Sequence, residues 1–303
     1  MSWFFIALWA PFLLACANHN DKFLLSRYLR EKSIGSIVIL SSLFSGVAIP
    51  IILFIQGDAY DVSLVQGSAL VATGMLSVFA AACYLYALDI DEASLVTPFY
   101  QTVPIFAYFL GYFILGETIL LAQGLGSFVT IVGALALSFE FGRRGMRFKR
   151  NVVALMLGAS FLSAVNGVIF KLIAVDEGFW VSLFWGFVGQ VMAGLIFLVC
   201  VPSYRRHFLD LFKQQKVAAV GLIALSETLF SVSEAITLYA TLLAPVALVL
   251  LVNSFQHLFV FALGIVLTLF FPRVAEESLS RMKMLQKGVG IGLMLVGGYL
   301  ISR

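Results

Sequence analysis

Few ionisable residues of this chain lie inside its long apolar runs, and each is expensive there. A charged side chain at mid-bilayer costs at least about 2.5 kcal/mol on insertion scales, so a buried ionisable group is by default a candidate for function. Glu227 and Glu234 stand two helical turns apart in one run with Ser231 between them, which puts all three on one helix face. A carboxyl group in that setting can bind and release a proton. His257 and Asn253 lie one turn apart in the following run, where an imidazole can relay protons or bind a substrate. Asn166 and Lys171 fall near the end of another run, and Asn18, His19, Asn20, Asp21 and Lys22 cluster near the end of the first. Lysines at such ends either pair with carboxylates as gates or snorkel to the headgroups. Lys22 reads as snorkelling, whereas Lys171 has Asp176 and Glu177 within reach as partners. Tyr86, Tyr100 and Tyr239 are candidate cavity-lining residues, because a phenol in a dry bundle needs a hydrogen-bond partner. For every one of these residues the plainer alternative is a hydrogen bond that merely joins two helices.

The elements that position them follow from composition. With 61% hydrophobic and 12% charged residues over 303 positions, the chain lies far outside the soluble globular range. Apolar segments run near 3 to 25, 34 to 55, 63 to 87, 93 to 115, 120 to 139, 152 to 174, 179 to 201, 217 to 240, 244 to 271 and 287 to 301. A crossing needs roughly 20 apolar residues, so the expectation is an all-α polytopic protein of ten transmembrane helices. A barrel would instead show alternating segments of about ten residues. No sizeable soluble domain fits between the segments, and the net charge of +3 reports orientation rather than a nucleic-acid partner. Cys16, Cys83 and Cys200 show neither CxxC spacing nor clustering with histidine, so neither a disulfide framework nor a metal site is expected, and no cofactor is implied. The stretch Leu13-Leu14-Ala15-Cys16 looks like a cleavage box, but Met1-Ser2-Trp3 lacks a basic n-region, and the first segment is read as a retained helix.

Depth separates the candidates. At about 1.5 Å per residue, Glu227 lies about 15 Å into its helix and His257 about 19 Å into the next, both near the middle of a core roughly 30 Å thick. Glu234 is expected near the outer boundary.

The chain also contains a duplication. Gln123-Gly124-Leu125-Gly126 through Val132-Gly133 to Ser138 aligns with Lys287-Gly288-Val289-Gly290 through Val296-Gly297 to Ser302. Leu85-Tyr86-Ala87 recurs as Leu238-Tyr239-Ala240, and Phe106 with Gly111 as Phe259 with Gly264. In that register Glu227 and Glu234 stand where the first half has Gly74 and Ala81, Pro104 stands opposite His257, and Lys22 corresponds to Lys171. Five segments per repeat is an odd number, so the second repeat enters the membrane from the opposite side. The expected units are residues 1–140, a basic linker 141–151, and residues 152–303, arranged as two five-helix inverted-topology repeats, a form found in many secondary transporters.

Thr97-Pro98-Phe99 through Pro104-Ile105-Phe106 to Leu115-Gly116-Glu117, and Ala244-Pro245-Val246-Ala247 through Ser254-Phe255-Gln256 to Phe271-Pro272-Arg273, resemble the EamA-type branch of the drug/metabolite transporter superfamily over essentially the whole length. The resemblance implies a plasma-membrane carrier working by alternating access, usually an exporter of small metabolites or drugs. Its partners would be the lipid bilayer, a small-molecule substrate and, as candidate coupling ion, the proton. All Lys and Arg except Lys22, Lys171 and Arg303 fall in connections on one side, so the positive-inside rule places both termini outside. Familiar members of the superfamily have their termini inside, and here the charge bias departs from that pattern. Two further strings remain. Glu276-Glu277-Ser278-Leu279-Ser280-Arg281 fits the EExxxR string of intramembrane CAAX-type proteases, an enzyme alternative beside that of a non-transporting structural bundle, but no histidine follows His257, and the string is read as a solvated charge cluster. Gly288 and Gly292 form a GxxxG pair that permits close helix approach, within the chain or, more weakly, in a homodimer.

Overall fold

The structure is a computed structural model that describes residues 2–27, 34–91, 96–138, 149–214, 217–270 and 281–303. The greater part of the basic linker and the Glu276-Glu277 string lie outside the described residues. The described chain is helical: α1 (Ser2–Arg27), α2 (Ile34–Ile55), α3 (Leu64–Ile90), α4 (Thr97–Leu115), α5 (Leu121–Ser138), α6 (Arg150–Glu177), α7 (Phe179–Cys200), α8 (Pro202–Gln214), α9 (Val217–Thr241), α10 (Val246–Phe270) and α11 (Arg281–Ile301). Continuous apolar runs fold this way because a helix satisfies its own backbone where no water can. Among the described residues nine helices, α1 to α7, α9 and α10, are long and apolar enough to cross a membrane. The apolar part of α11, Leu285–Ile301, is shorter. The polar connection after α7 is itself the helix α8, and the ring of its Tyr204 lies over Gly35 of α2, where a side chain would collide with it.

Three of the long helices are broken, two of them beside prolines. A 3-10 turn at Ser45–Val47 precedes Pro50 in α2. The first six residues of α4, Thr97–Thr102, are 3-10 around Pro98, and Pro104 follows at once. Proline has no N–H to donate, which favours such tightened turns. The far end of α4 widens into a π turn at Gly111–Leu115 and stops at Gly116, whose φ of 67° is left-handed and needs glycine. The chain thereby doubles back, Glu117 N–H bonds the Gly111 carbonyl at 3.1 Å, and the Glu117 side chain turns toward the bundle. In α10 a 3-10 turn at Asn253–Phe255 interrupts the helix at mid-length.

Packing follows small residues. α5 and α11 lie along each other with Gly126 against Gly297 and Gly133 against Gly290: a Cβ on Gly126 would stand 2.8 Å from the Gly297 oxygen, and one on Gly133 2.7 Å from the Gly290 oxygen. Gly288 and Gly292, by contrast, meet nothing within 4 Å, so the GxxxG pair read from the sequence is not the internal seam; its neighbours Gly290 and Gly297 are. A second glycine seam joins α3 to α7, where a Cβ on Gly74 would be 1.9 Å from the Gly186 oxygen and one on Gly189 2.1 Å from the Val71 oxygen. Elsewhere α1 packs along α9, α3 also along α6, and α4 against α6 and α10. Between α2 and α9 there is little direct packing, and the space they leave is the candidate site.

Candidate functional site

A cavity of about 1910 Å³ opens at one end of the bundle. Its mouth is formed where α1 and α3 end, where α2 and α11 begin, and by α8, and carries Asp21, Lys22, Asp89, Tyr204, His207 and Lys287. Hydroxyl groups of Tyr86 and Tyr204 bond each other across it. Further in, α9 supplies Glu227, Ser231 and Glu234, α10 supplies Asn253 and His257, α1 supplies Asn18, and Tyr84 and Tyr100 come from α3 and α4. The one-face spacing read from the sequence therefore places the α9 triplet on the cavity wall.

Each acid has a specific partner. Ser41 Oγ of α2 donates to Glu227 Oε1 at 2.7 Å, and Glu227 is 8% exposed. Gln190 Nε2 of α7 donates to both oxygens of Glu234 at 2.8 and 2.9 Å, while Gln190 Oε1 accepts from Ser45 Oγ of α2. Ser41 and Ser45, one turn apart on α2, thus reach α9 directly and through α7. His257 Nδ1 is 3.1 Å from the Ser254 carbonyl of its own helix, and Ser254 Oγ donates to Gln101 Oε1 of α4 at 2.6 Å, tying α10 to α4.

Beyond Glu234 the cavity ends against an apolar layer that includes Leu70, Phe170, Ile173, Phe187 and Leu238. Glu234 is therefore at the blind end of the cavity, seven residues before its helix ends at Thr241. At the same end Lys171 Nζ bonds Glu117 Oε1 at 2.6 Å and the Ala244 carbonyl at 2.8 Å, and Val246 N–H donates to Glu117 Oε2 at 2.8 Å. Lys171 of α6, the turn after α4 and the start of α10 are locked together at this point. The sequence-based partners of Lys171, Asp176 and Glu177, are not the ones used, because the left-handed Gly116 turn brings Glu117 closer.

Asn166 does not line the main cavity; it borders a small space behind Glu234 with Gly74, Phe170 and Phe187. Lys171 lies outside the cavity as well. The first polar cluster divides. His19 Nε2 meets the Val260 carbonyl at 2.9 Å, and Asn20 Nδ2 donates to the Leu222 carbonyl and Ser226 Oγ at 2.7 and 2.8 Å, so both join helices. Asn18 and Lys22 line the cavity, Lys22 at its mouth. Tyr239 packs edge-on against Phe179, away from the cavity. The residues that sequence reasoning missed are uncharged, Gln190, Ser41, Ser45 and Gln101, apart from Glu117, which was visible only as part of a motif. A glutamine inside the apolar run 179 to 201 was the available signal. Among the described residues no three His, Cys, Asp or Glu side chains gather as metal ligands.

These features define a polytopic helical membrane protein with a polar cavity closed at one end. Residues 6–139 match the EamA-like transporter family, which bears out over that stretch the resemblance seen in the sequence. A solved structure described only as that of a protein is similar over 99% of this chain and 96% of its own, with a TM-score of 0.64 at 14% identity, a likeness of fold. No curated protein matches the chain in sequence.

Proposed function

We propose that the protein is a secondary transporter that moves small metabolites or drugs across the plasma membrane by alternating access, as an exporter coupled to protons. The observation that carries this reading is the one-ended cavity: open beside Lys22 and Lys287, shut beyond Glu234 by an apolar layer and the Lys171–Glu117 lock. A channel would be open at both ends, and an enzyme would need a catalytic cluster in place of a plug.

The reading includes ten crossings, α11 being the tenth, in two inverted halves, residues 1–140 and 152–303. Three contacts support it. In the register of the duplication Gly126 corresponds to Gly290 and Gly133 to Gly297, and the contacts run Gly126 to Gly297 and Gly133 to Gly290, the reciprocal pattern of a twofold axis. The packing of α1 on α9 has its counterpart in that of α6 on α3. The remaining pair of equivalent seams is unequal: α3 meets α7 glycine to backbone, while α9 reaches α2 mainly through Glu227 and Ser41. One closed and one open copy of the same seam is what a carrier caught in one of its two states requires. With both termini outside, as the basic connections indicate, the open end faces the cytoplasm, and the protein works as a monomer or weak homodimer in the bilayer, with no nucleic-acid partner.

Glu227 is the proposed proton site. In proteoliposomes, Glu227→Gln is expected to abolish solute movement driven by a pH gradient while leaving folding intact, since Gln keeps the bond from Ser41 but cannot titrate. Transport with an unchanged pH profile would remove proton coupling from the reading.

A further inference from the structure

We propose that the solute taken by this cavity carries a protonated amine on an apolar or aromatic body, with the ammonium group held by Glu227 and Glu234. The inference rests on the transporter reading and adds the chemical class of what is carried. It begins with charge placement. Both carboxylates lie on the cavity face of α9, and the inner part of the cavity has no Lys or Arg among its described lining residues. Lys22 and Lys287 line the cavity toward the mouth, Lys22 beside Asp21 and Lys287 with its Nζ 4.3 Å from the centre of the Phe261 ring. Lys171, which could have compensated the acids, is bound to Glu117 outside the cavity.

The hydrogen bonds leave the acids incomplete. Glu227 is buried except for 8% of its surface, yet only its Oε1 is bonded, by Ser41, and Oε2 accepts nothing among the described residues. Glu234 receives one amide nitrogen shared between its two oxygens. Two ionised carboxylates offer about eight acceptor sites, far more than one hydroxyl and one amide fill, and an ammonium group brings three donors and the opposite charge. An anionic solute would meet like charge in a low-dielectric wall, and a neutral one would leave acceptors unpaired, so the site selects against both.

The rest of the lining suits a bulky body. The rings of Tyr84 and Tyr100 lie 5.0 Å apart between centres with their planes tilted by 59°, and Phe230 and Leu250 add apolar surface. Tyrosine faces attract organic cations. The cavity is also larger than the roughly 300–1,000 Å³ usual for drug-sized ligands, so bulky amines fit.

Three probes with one body and different head groups test this: 4-phenylbutylamine, 4-phenylbutanol and 4-phenylbutyrate, titrated calorimetrically against the full chain in nanodiscs. The amine is expected to bind at least about tenfold more tightly than the alcohol, and the carboxylate most weakly. Glu227→Gln is expected to reduce the amine's advantage, and Glu227→Gln with Glu234→Gln to erase it. The proposal is overturned if the alcohol or the carboxylate binds the unaltered protein as tightly as the amine, a result that does not depend on any variant folding. It is also overturned if the amine's advantage survives in a folded double variant. Failure of the two readings is distinguishable: amine binding without movement into proteoliposomes sinks the transporter, whereas movement of a neutral or anionic solute with no amine preference sinks only the amine.

Discussion

Removing the amine of Lys171 tests the lock that closes one end of the bundle. Lys171→Met keeps the length of the side chain but loses two bonds, a charged one to Glu117 at 2.6 Å and one to the Ala244 carbonyl at 2.8 Å. Breaking a buried pair by deleting one partner costs about 3–5 kcal/mol when the survivor is left alone. Here both side chains are about one-seventh exposed, at 15% and 14%, and Glu117 keeps the bond from Val246 N–H, so the loss is nearer about 2–3 kcal/mol. That shifts the balance between closed and open by about 30- to 140-fold. Ala174, 3% exposed within the apolar plug, reports it: in a background without Cys16, Cys83 and Cys200, Ala174→Cys is labelled with a membrane-impermeant maleimide. Labelling from the locked side is expected to accelerate by that factor in Lys171→Met. Glu117→Gln should do nearly as much, because it removes the charge and puts an NH2, which cannot accept, where one of the two oxygens receives Lys171 or Val246. An unchanged labelling rate, in protein whose melting temperature shows the variant folded, would refute the assignment of this pair as the closure.

The glycine seam predicts a contrast within one helix: Gly290→Leu should lower the thermal stability by at least about 1–3 kcal/mol through overpacking against α5, whereas Gly292→Leu, which meets nothing, should melt like the parent. Equal melting of the two would show that α5 and α11 do not pack as described. For topology, an impermeant reagent applied to intact cells should modify Ser302→Cys, four residues past Gly298, and protection of that position until the cells are permeabilised would place the C-terminus inside.

How much of this was legible in the sequence depended on what kind of signal a residue gives. The helices were readable because length and continuous apolarity fix them, and the α9 stripe was readable because Glu227, Ser231 and Glu234 repeat with helical spacing. Depth was less so. Counting along α9 gives the height of Glu234 on its helix, but one sequence does not show that a cavity ends there. The partner of Lys171 was misread because sequence neighbours compete poorly with a chain that reverses at Gly116, and a left-handed glycine is not visible as such in one sequence. Gln190, Ser41 and Ser45 passed unremarked because only charge had been treated as costly in the membrane, although a buried amide or hydroxyl needs a partner as well. The GxxxG pair matched a pattern, whereas the seven-residue spacing of Gly290 and Gly297 made the contact.

A cavity this wide, with charged side chains at its mouth and two carboxyl groups within, has room for water, which would make it more conductive than the apolar layer beyond it. Membrane voltage then does not fall evenly over the thickness of the bilayer but concentrates across the thin layer of Phe170, Phe187 and Leu238 with the Lys171–Glu117 pair at its side. Glu227 and Glu234 sit at nearly the electrical potential of the mouth, so a charge that reaches them from that side does little electrical work. In the proposed alternating-access cycle, the work of about 2.3 kcal/mol per charge per 100 mV is done when the plug moves from one end of the bundle to the other. Binding should then be indifferent to voltage, and the rate of switching should carry all of its dependence.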